Sequence, residues 1–355
     1  MSDDLFSKLF ELFNQPGPVN WKLAAEVARH LSGERQPVEP WAAEEFRELA
    51  RLAEYRLEEV TPFPVRTAVD VLPLDPRSWA EKNLELYGAL VEPFAASMEV
   101  GEAAPMMAQL APAMIGLQVG SLVGSLSAWA VAGFDAGLPP EQTGPLTLIV
   151  PNIEALEVGG VDDEREVRLW VVANEVAFRA VCDIPWVRDR LAELVSDYAS
   201  AAQIDPTKLS GLMIGGTDPA EIEKAIADAG GIDGLIGGEE AEAPRAELEA
   251  FLGVVTGCAR LLARRAVGEM APHFDEISAV RDEEREPIAA TPTIGVGPVP
   301  PEATRAGDAF NQEVERRYGD DALATLWADP SRMPTAAELR DPTAWAARVL
   351  LDGWT

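Results

Sequence analysis

From residue 103 to residue 134 the chain carries no charged side chain. A run of that length must leave water, either in a bilayer or in a protein core. Gly116, Gly120 and Gly124 fall four apart inside it, a spacing that lets helices approach closely and is common in membranes. The run also holds Pro105, Gln109, Pro112, Gln118 and several serines, and its flanks are acidic at Glu99, Glu102 and Asp135. Basic residues, which normally anchor a membrane span, are missing there. The segment is therefore expected as a buried core helix.

Charge narrows the partners. The 355 residues include 60 Asp and Glu against 29 Lys and Arg, a net charge of −31. Such a field repels nucleic-acid phosphates and anionic headgroups, so no nucleic-acid and no membrane partner is expected. Hydrophobic residues make up 47% of the chain, enough for a sizeable core. Cys182 and Cys258 are too few for a disulfide framework or a cysteine zinc site. The acidic start Met1-Ser2-Asp3-Asp4 lacks the basic region of a signal peptide. A reducing, cytoplasmic location follows as the expectation.

Apolar periodicity predicts helices over residues 21–31, 40–59 and 78–97, and strands over 68–72 and 146–150. Asp163 is placed to cap a helix running to about Cys182, with Glu166 reaching back to the cap amide. Pro185 starts the next helix, toward Tyr198. Residues 205–242, acidic and broken by glycine pairs, read as short helices and loops, and 246–270 as a long helix. The fold class is mainly α with a few short strands. We divide the chain into a helical part at 1–145, a second part at 146–280, a flexible loop at 281–310 and a helical tail at 311–355.

The stretch from Val167 to Val181 is apolar nearly all round, as in a buried helix, yet Asn174 and Glu175 stand in its middle. A buried polar group is costly unless paired. A purely structural reading pairs Glu175 with Arg179 one turn on and lets Asn174 cap a neighbouring backbone. On physics alone that reading is favoured over a catalytic one.

Further stretches add to this helix: Phe46-Arg47-Glu48-Leu49-Ala50-Arg51-Leu52-Ala53, Leu57-Glu58-Glu59-Val60-Thr61, Leu90-Val91-Glu92-Pro93-Phe94, Leu148-Ile149-Val150-Pro151-Asn152-Ile153, Ile184-Pro185-Trp186-Val187-Arg188 and Leu326-Trp327-Ala328-Asp329-Pro330. Together, and in order along most of the chain, they resemble an actinobacterial zincin-like family of hydrolases and zinc-dependent metalloproteases. One branch of that family is associated with deazaflavin-coenzyme biosynthesis. The resemblance implies a multihelical zincin-like fold. It also implies a His-Glu-x-x-His helix, whose histidines share one face and hold zinc while the glutamate deprotonates the bound water.

The five matching positions here read Asn174-Glu175-Val176-Ala177-Phe178. The general-base position keeps its carboxylate in Glu175. Asn174 is a poor zinc donor, and Phe178 cannot bind metal at all. The family's later Glu-Gly-His signature aligns with Thr256-Gly257-Cys258, leaving neither carboxylate nor imidazole, and a lone buried cysteine is ordinarily inert packing. His30 and His273 are the only histidines, and neither belongs to a paired motif. The resemblance therefore implies a degenerate member: no metal, no cofactor, and Glu175 as a vestigial base beside the former ligand positions Asn174, Phe178, Thr256 and Cys258.

No Gly-x-Ser-x-Gly elbow, phosphate loop or calcium loop offers other chemistry. The preferred expectation is a pseudoenzyme whose former cleft, lined by Asn174, Glu175, Phe178 and Trp170, binds a peptide or protein partner such as an active paralogue. The alternative is an active hydrolase with an unorthodox metal site, or with metal-free chemistry at Glu175.

Overall fold

The structure, a computed structural model, describes residues 17–65, 70–97, 105–137, 139, 144–204, 236–237, 239–289 and 298–351. Asn20 opens the first helix by accepting the Leu23 N–H at 3.0 Å, and α1 spans Trp21–Leu31. In α2 (Pro40–Val60), Phe46, Leu49, Ala53 and Leu57 are buried on one face, as their spacing requires. β1 (Val71–Leu74), α3 (Pro76–Ser97), α4 (Pro105–Trp129) and the one-turn α5 (Gly133–Ala136) follow. β2 (Leu146–Ile149) lies parallel to β1, with Val71 opposite Leu146 and Leu74 opposite Ile149.

The strand expected to reach residue 150 ends one residue earlier, because Val150-Pro151 opens α6 (Val150–Glu154). Next come α7 (Glu164–Cys182), α8 (Val187–Ala201) and a minimal antiparallel pair of β3 (Gln203–Ile204) with β4 (Ile236–Gly237). The chain then forms α9 (Glu239–Val267), α10 (Phe274–Ala289), α11 (Pro301–Tyr318) and α12 (Asp320–Leu326). Two 3-10 turns, Pro330–Arg332 and Glu338–Arg340, lead to α13 (Pro342–Leu350). The architecture is mainly helical.

One local expectation needs correction, and another falls largely outside the described residues. The stretch 281–310 is helical at both ends, through Ala289 in α10 and from Pro301 in α11, while 290–297 lies outside the described residues. Its proline-rich composition suggested a loop, but Pro301 merely starts a helix. Most of 205–242 also lies outside the described residues, and 239–242 belong to α9.

The uncharged segment forms α4 and packs along α1. A methyl on Gly116 would stand 2.4 Å from the Asn20 carbonyl oxygen, and one on Gly120 2.4 Å from that of Ala24. The glycine ladder thus serves backbone approach inside the protein. No helix among the described residues is long and apolar enough to cross a membrane. The same device recurs where α9 crosses α11: a methyl on Gly257 would lie 2.1 Å from the Asp308 nitrogen. α9 packs against α11, α7, α8 and α2. Buried apolar residues form one continuous core from Val19 to Ala346, and α7 runs through it, buried at every position from 169 to 182.

Candidate functional site

Asp163 caps α7 by accepting the Arg165 N–H at 2.9 Å. Glu166 does not complete a capping box: its Oε1 accepts the His273 N–H at 2.6 Å, and its Oε2 lies 3.0 Å from His273 Nδ1. His273 is thus a structural tether between α7 and the start of α10. His30 is exposed on α1.

Glu175, halfway along α7, is 0% exposed. Its Oε2 accepts the Phe134 N–H at 2.8 Å, where α5 begins. Oε1 has no hydrogen-bond partner among the described residues. Burial pushes this carboxyl up to about 7, against the Phe134 N–H and Arg179, which favour its charge, while Asp135 opposes it. Arg179 acts on Glu175 through space and lies 3.7 Å from Asp183 by its Nε.

Residues 130–135 are held by the motif that follows β2. The Asn152 amide donates to the Ser127 and Ala130 carbonyls at 2.9 and 2.7 Å, and the Ile149 N–H donates to Val131 at 2.8 Å. This loop also delivers Asp135, whose side chain is fully buried. Asp135 Oδ1 accepts from Arg285 at 2.7 Å, and Oδ2 accepts from Arg281. Burial pushes the Asp135 carboxyl up, but the two guanidiniums outweigh it and hold it below the ordinary carboxylate range. Arg281 also stacks on the Trp129 ring at 4.2 Å.

The network continues toward α9. Arg285 Nη1 lies 3.5 Å from Thr304 Oγ1, which in turn lies 3.3 Å from Thr256 Oγ1. Beside it Arg260 grips Asp282 with two bonds of 2.9 and 2.7 Å. The sequence singled out Glu175 and Thr256 but not Asp135, Arg260, Arg281, Asp282 or Arg285. Residues 281–286 are all charged, of mixed sign, like a solvated helix face. The four-residue spacing of Arg281 and Arg285 was the available signal.

Asn174 donates its amide to the Trp170 carbonyl at 2.8 Å, within its own helix and not to a neighbour. Trp170 donates from Nε1 to Ser278 at 3.0 Å. Trp170, Asn174, Glu175 and Phe178 are each 0–3% exposed. The cleft expected between them is therefore closed, filled by their own packing. An open groove of about 300 Å³ lies elsewhere, between α9, α11 and the turn at Glu338–Arg340, lined by Glu249, Ala250, Glu302, Ala303, Ala306 and Leu339.

The residues that the resemblance places at ligand positions do not suit zinc. The Asn174 amide is committed to a backbone carbonyl, Phe178 fills space with an apolar ring, and Thr256 donates to the Leu252 carbonyl at 2.8 Å. Cys258 is buried on α9, and burial pushes its thiol up more than the neighbouring Trp327 brings it down. Among the described residues, no three His, Cys, Asp or Glu side chains are grouped to hold a metal ion.

The chain is similar to known proteins over nearly its whole length. The sequence model of the family described as "Zincin-like metallopeptidase" matches residues 19–346. No curated protein matches the sequence. A crystal structure from Chloroflexus aurantiacus, described as "a putative hydrolase with a novel fold", superposes with a TM-score of 0.67 at 20% identity, covering 93% of this chain and 98% of that one. That likeness concerns the fold. With the match spanning most of its length, this chain belongs to the zincin-like metallopeptidase family.

Proposed function

We propose that this chain is a non-catalytic member of its family, a pseudoenzyme that keeps the scaffold for binding and works without zinc. One observation carries the reading. Glu175, at the general-base position, is closed off from solvent and occupied with the Phe134 N–H. A general base for hydrolysis needs a water within hydrogen-bond reach and room for the substrate. Binding falls instead to the surface, and the groove between α9 and α11 is the place for a peptide or protein partner, an active paralogue among them.

A second reading draws on the same carboxyl. A group pushed up to about 7 is poised to give and take a proton at neutral pH, and the Chloroflexus aurantiacus structure that shares this fold is described as a putative hydrolase. Metal-free hydrolysis at Glu175 would require α5 to move away from α7.

Elemental analysis of the purified chain, run beside a peptide-hydrolysis assay of native protein and Glu175→Gln, separates the two. The pseudoenzyme reading expects no stoichiometric zinc and no hydrolysis above background in either protein. About one zinc per chain, or turnover abolished by Glu175→Gln, would overturn it.

A further inference from the structure

The groove between α9 and α11 has fixed walls. Beside it the two helices meet backbone to backbone: a methyl on Gly253 would stand 2.4 Å from the Ala303 carbonyl oxygen. Ala250 of α9 and Ala303 and Ala306 of α11 line it with side chains too short to fill it. The third wall is the turn that carries Leu339 and Arg340, and it is pinned from two directions. The Ala336 N–H donates to Glu247 of α9 at 3.3 Å, and Arg348 of α13 holds Glu338 with two bonds of 2.7 Å. Walls held in this way need little reordering when a partner arrives, which lowers the cost of binding.

Three charged side chains line the groove, and they are not alike. Glu249 is occupied by Arg245 at 2.8 Å. Glu302, in the first turn of α11, and Arg340 are both exposed, and among the described residues neither side chain has an ion pair or a hydrogen bond. In a chain with 60 acidic residues and 29 basic ones, an arginine left without a carboxylate is the exception. We propose that this groove receives an exposed segment of a protein partner in which a basic and an acidic residue flank one or two small apolar ones, the cation meeting Glu302 and the carboxylate meeting Arg340. This inference deepens the proposed binding role and rests on it. The alanines and Leu339 take the small apolar residues, and about 300 Å³ admits no more than a few of them. The Arg340 guanidinium offers a planar fork that can hold a carboxylate with two bonds. A uniformly basic segment, which the net charge alone would attract, would meet repulsion at Arg340. Charges at the rim set orientation more than affinity, because the reversed segment would bring like charges together at both ends.

The test uses fluorescent peptides of one composition in two orders, Ala-Arg-Ala-Ala-Glu-Ala and Ala-Glu-Ala-Ala-Arg-Ala, together with the same pair shortened by one central alanine. Each is titrated with the full chain and followed by fluorescence anisotropy. Both orders carry the same net charge, so the overall field of the chain acts alike on them. At one spacing the native chain should prefer one order by about tenfold, and Glu302→Lys/Arg340→Glu should prefer the other by a similar factor. Both substituted side chains are exposed, and near-ultraviolet circular dichroism checks that the double variant is folded. No binding of any peptide, equal binding of the two orders at both spacings, or a preference that survives the charge exchange overturns the proposal. Cleavage of a peptide by the native chain, abolished in Glu175→Gln, would instead overturn the proposed function, so the two failures are distinguishable.

Discussion

Burial pushes the Glu175 carboxyl up to about 7 in the folded chain, from an ordinary value of 4.5. Between those limits the native state binds a proton that the unfolded chain has released, so stability falls as pH rises from about 4.5 to 7 and is level beyond. The full effect is on the order of 3 kcal/mol. Gln keeps an oxygen for the Phe134 N–H and has no charge to desolvate. Glu175→Gln should therefore flatten this slope and gain about 1–3 kcal/mol at pH 8. Urea unfolding of both proteins at pH 5 and pH 8 checks it; a variant weaker than native at pH 8 would mean the buried carboxylate has a stronger partner than Phe134. The sequence marks Glu175 as anomalous because a charge stands inside an apolar helix. It does not reveal that partner, since the Phe134 N–H comes from a loop 41 residues away. Arg179 was the natural guess because sequence sees only neighbours along the helix. Asp135 was read only as an acidic flank for a related reason: a lone acidic residue at the end of an apolar run looks like solvent-facing punctuation until two arginines from α10 close on it.

At the level of helices, two glycine-lined crossings hold the site in place. α9 and α11 meet so closely that a methyl on Gly307 would stand 1.8 Å from the Gly253 carbonyl oxygen, and the two backbones would have to part. That crossing also sets Thr304 against Thr256, so its loss loosens the polar network as well. Gly307→Ala should cost about 3 kcal/mol, at the upper end of overpacking penalties. Gly159→Ala, with nothing within 4 Å of its added methyl, should stay within about 0.5 kcal/mol of native. Thermal melts of the two variants decide this, and comparable losses in both would refute the close crossing. Helix positions were largely legible, because α2, α7 and α9 carry apolar residues at helical period and several starts are marked by Pro or Asp. The ends of 281–310 were not. Pro and Gly density predicts a break, which is compatible with a helix starting at Pro301 once α9 supplies a groove for it. The glycine ladder of α4 was read by its spacing and is explained by α1, which no local pattern identifies as its partner.

For the whole molecule the governing quantity is charge. With 60 acidic residues against 29 basic ones, carboxylates outnumber cations about two to one, and their mutual repulsion favours expansion. Exposed pairs such as Arg29–Glu26 and Arg47–Glu44 offset little of this, because each is worth at most about 1 kcal/mol. The buried cluster around Asp135 behaves differently, since it is dry and salt does not reach it. Adding salt should thus relieve the surface repulsion while leaving the internal ion pairs intact. Raising sodium chloride from about 0.05 to about 0.5 M shortens the screening distance severalfold, and the melting temperature should rise, by roughly 2–4 °C for each kcal/mol gained. Asp135→Asn, which leaves two buried guanidiniums without their carboxylate, should melt lower than native at every salt concentration yet rise with the same slope. A melting temperature that falls with salt would mean that ion pairs, and not surplus carboxylates, dominate the surface. A steeper slope in Asp135→Asn would mean that ions enter the cluster, and the closed interior assigned to Glu175 and Arg285 would have to be opened.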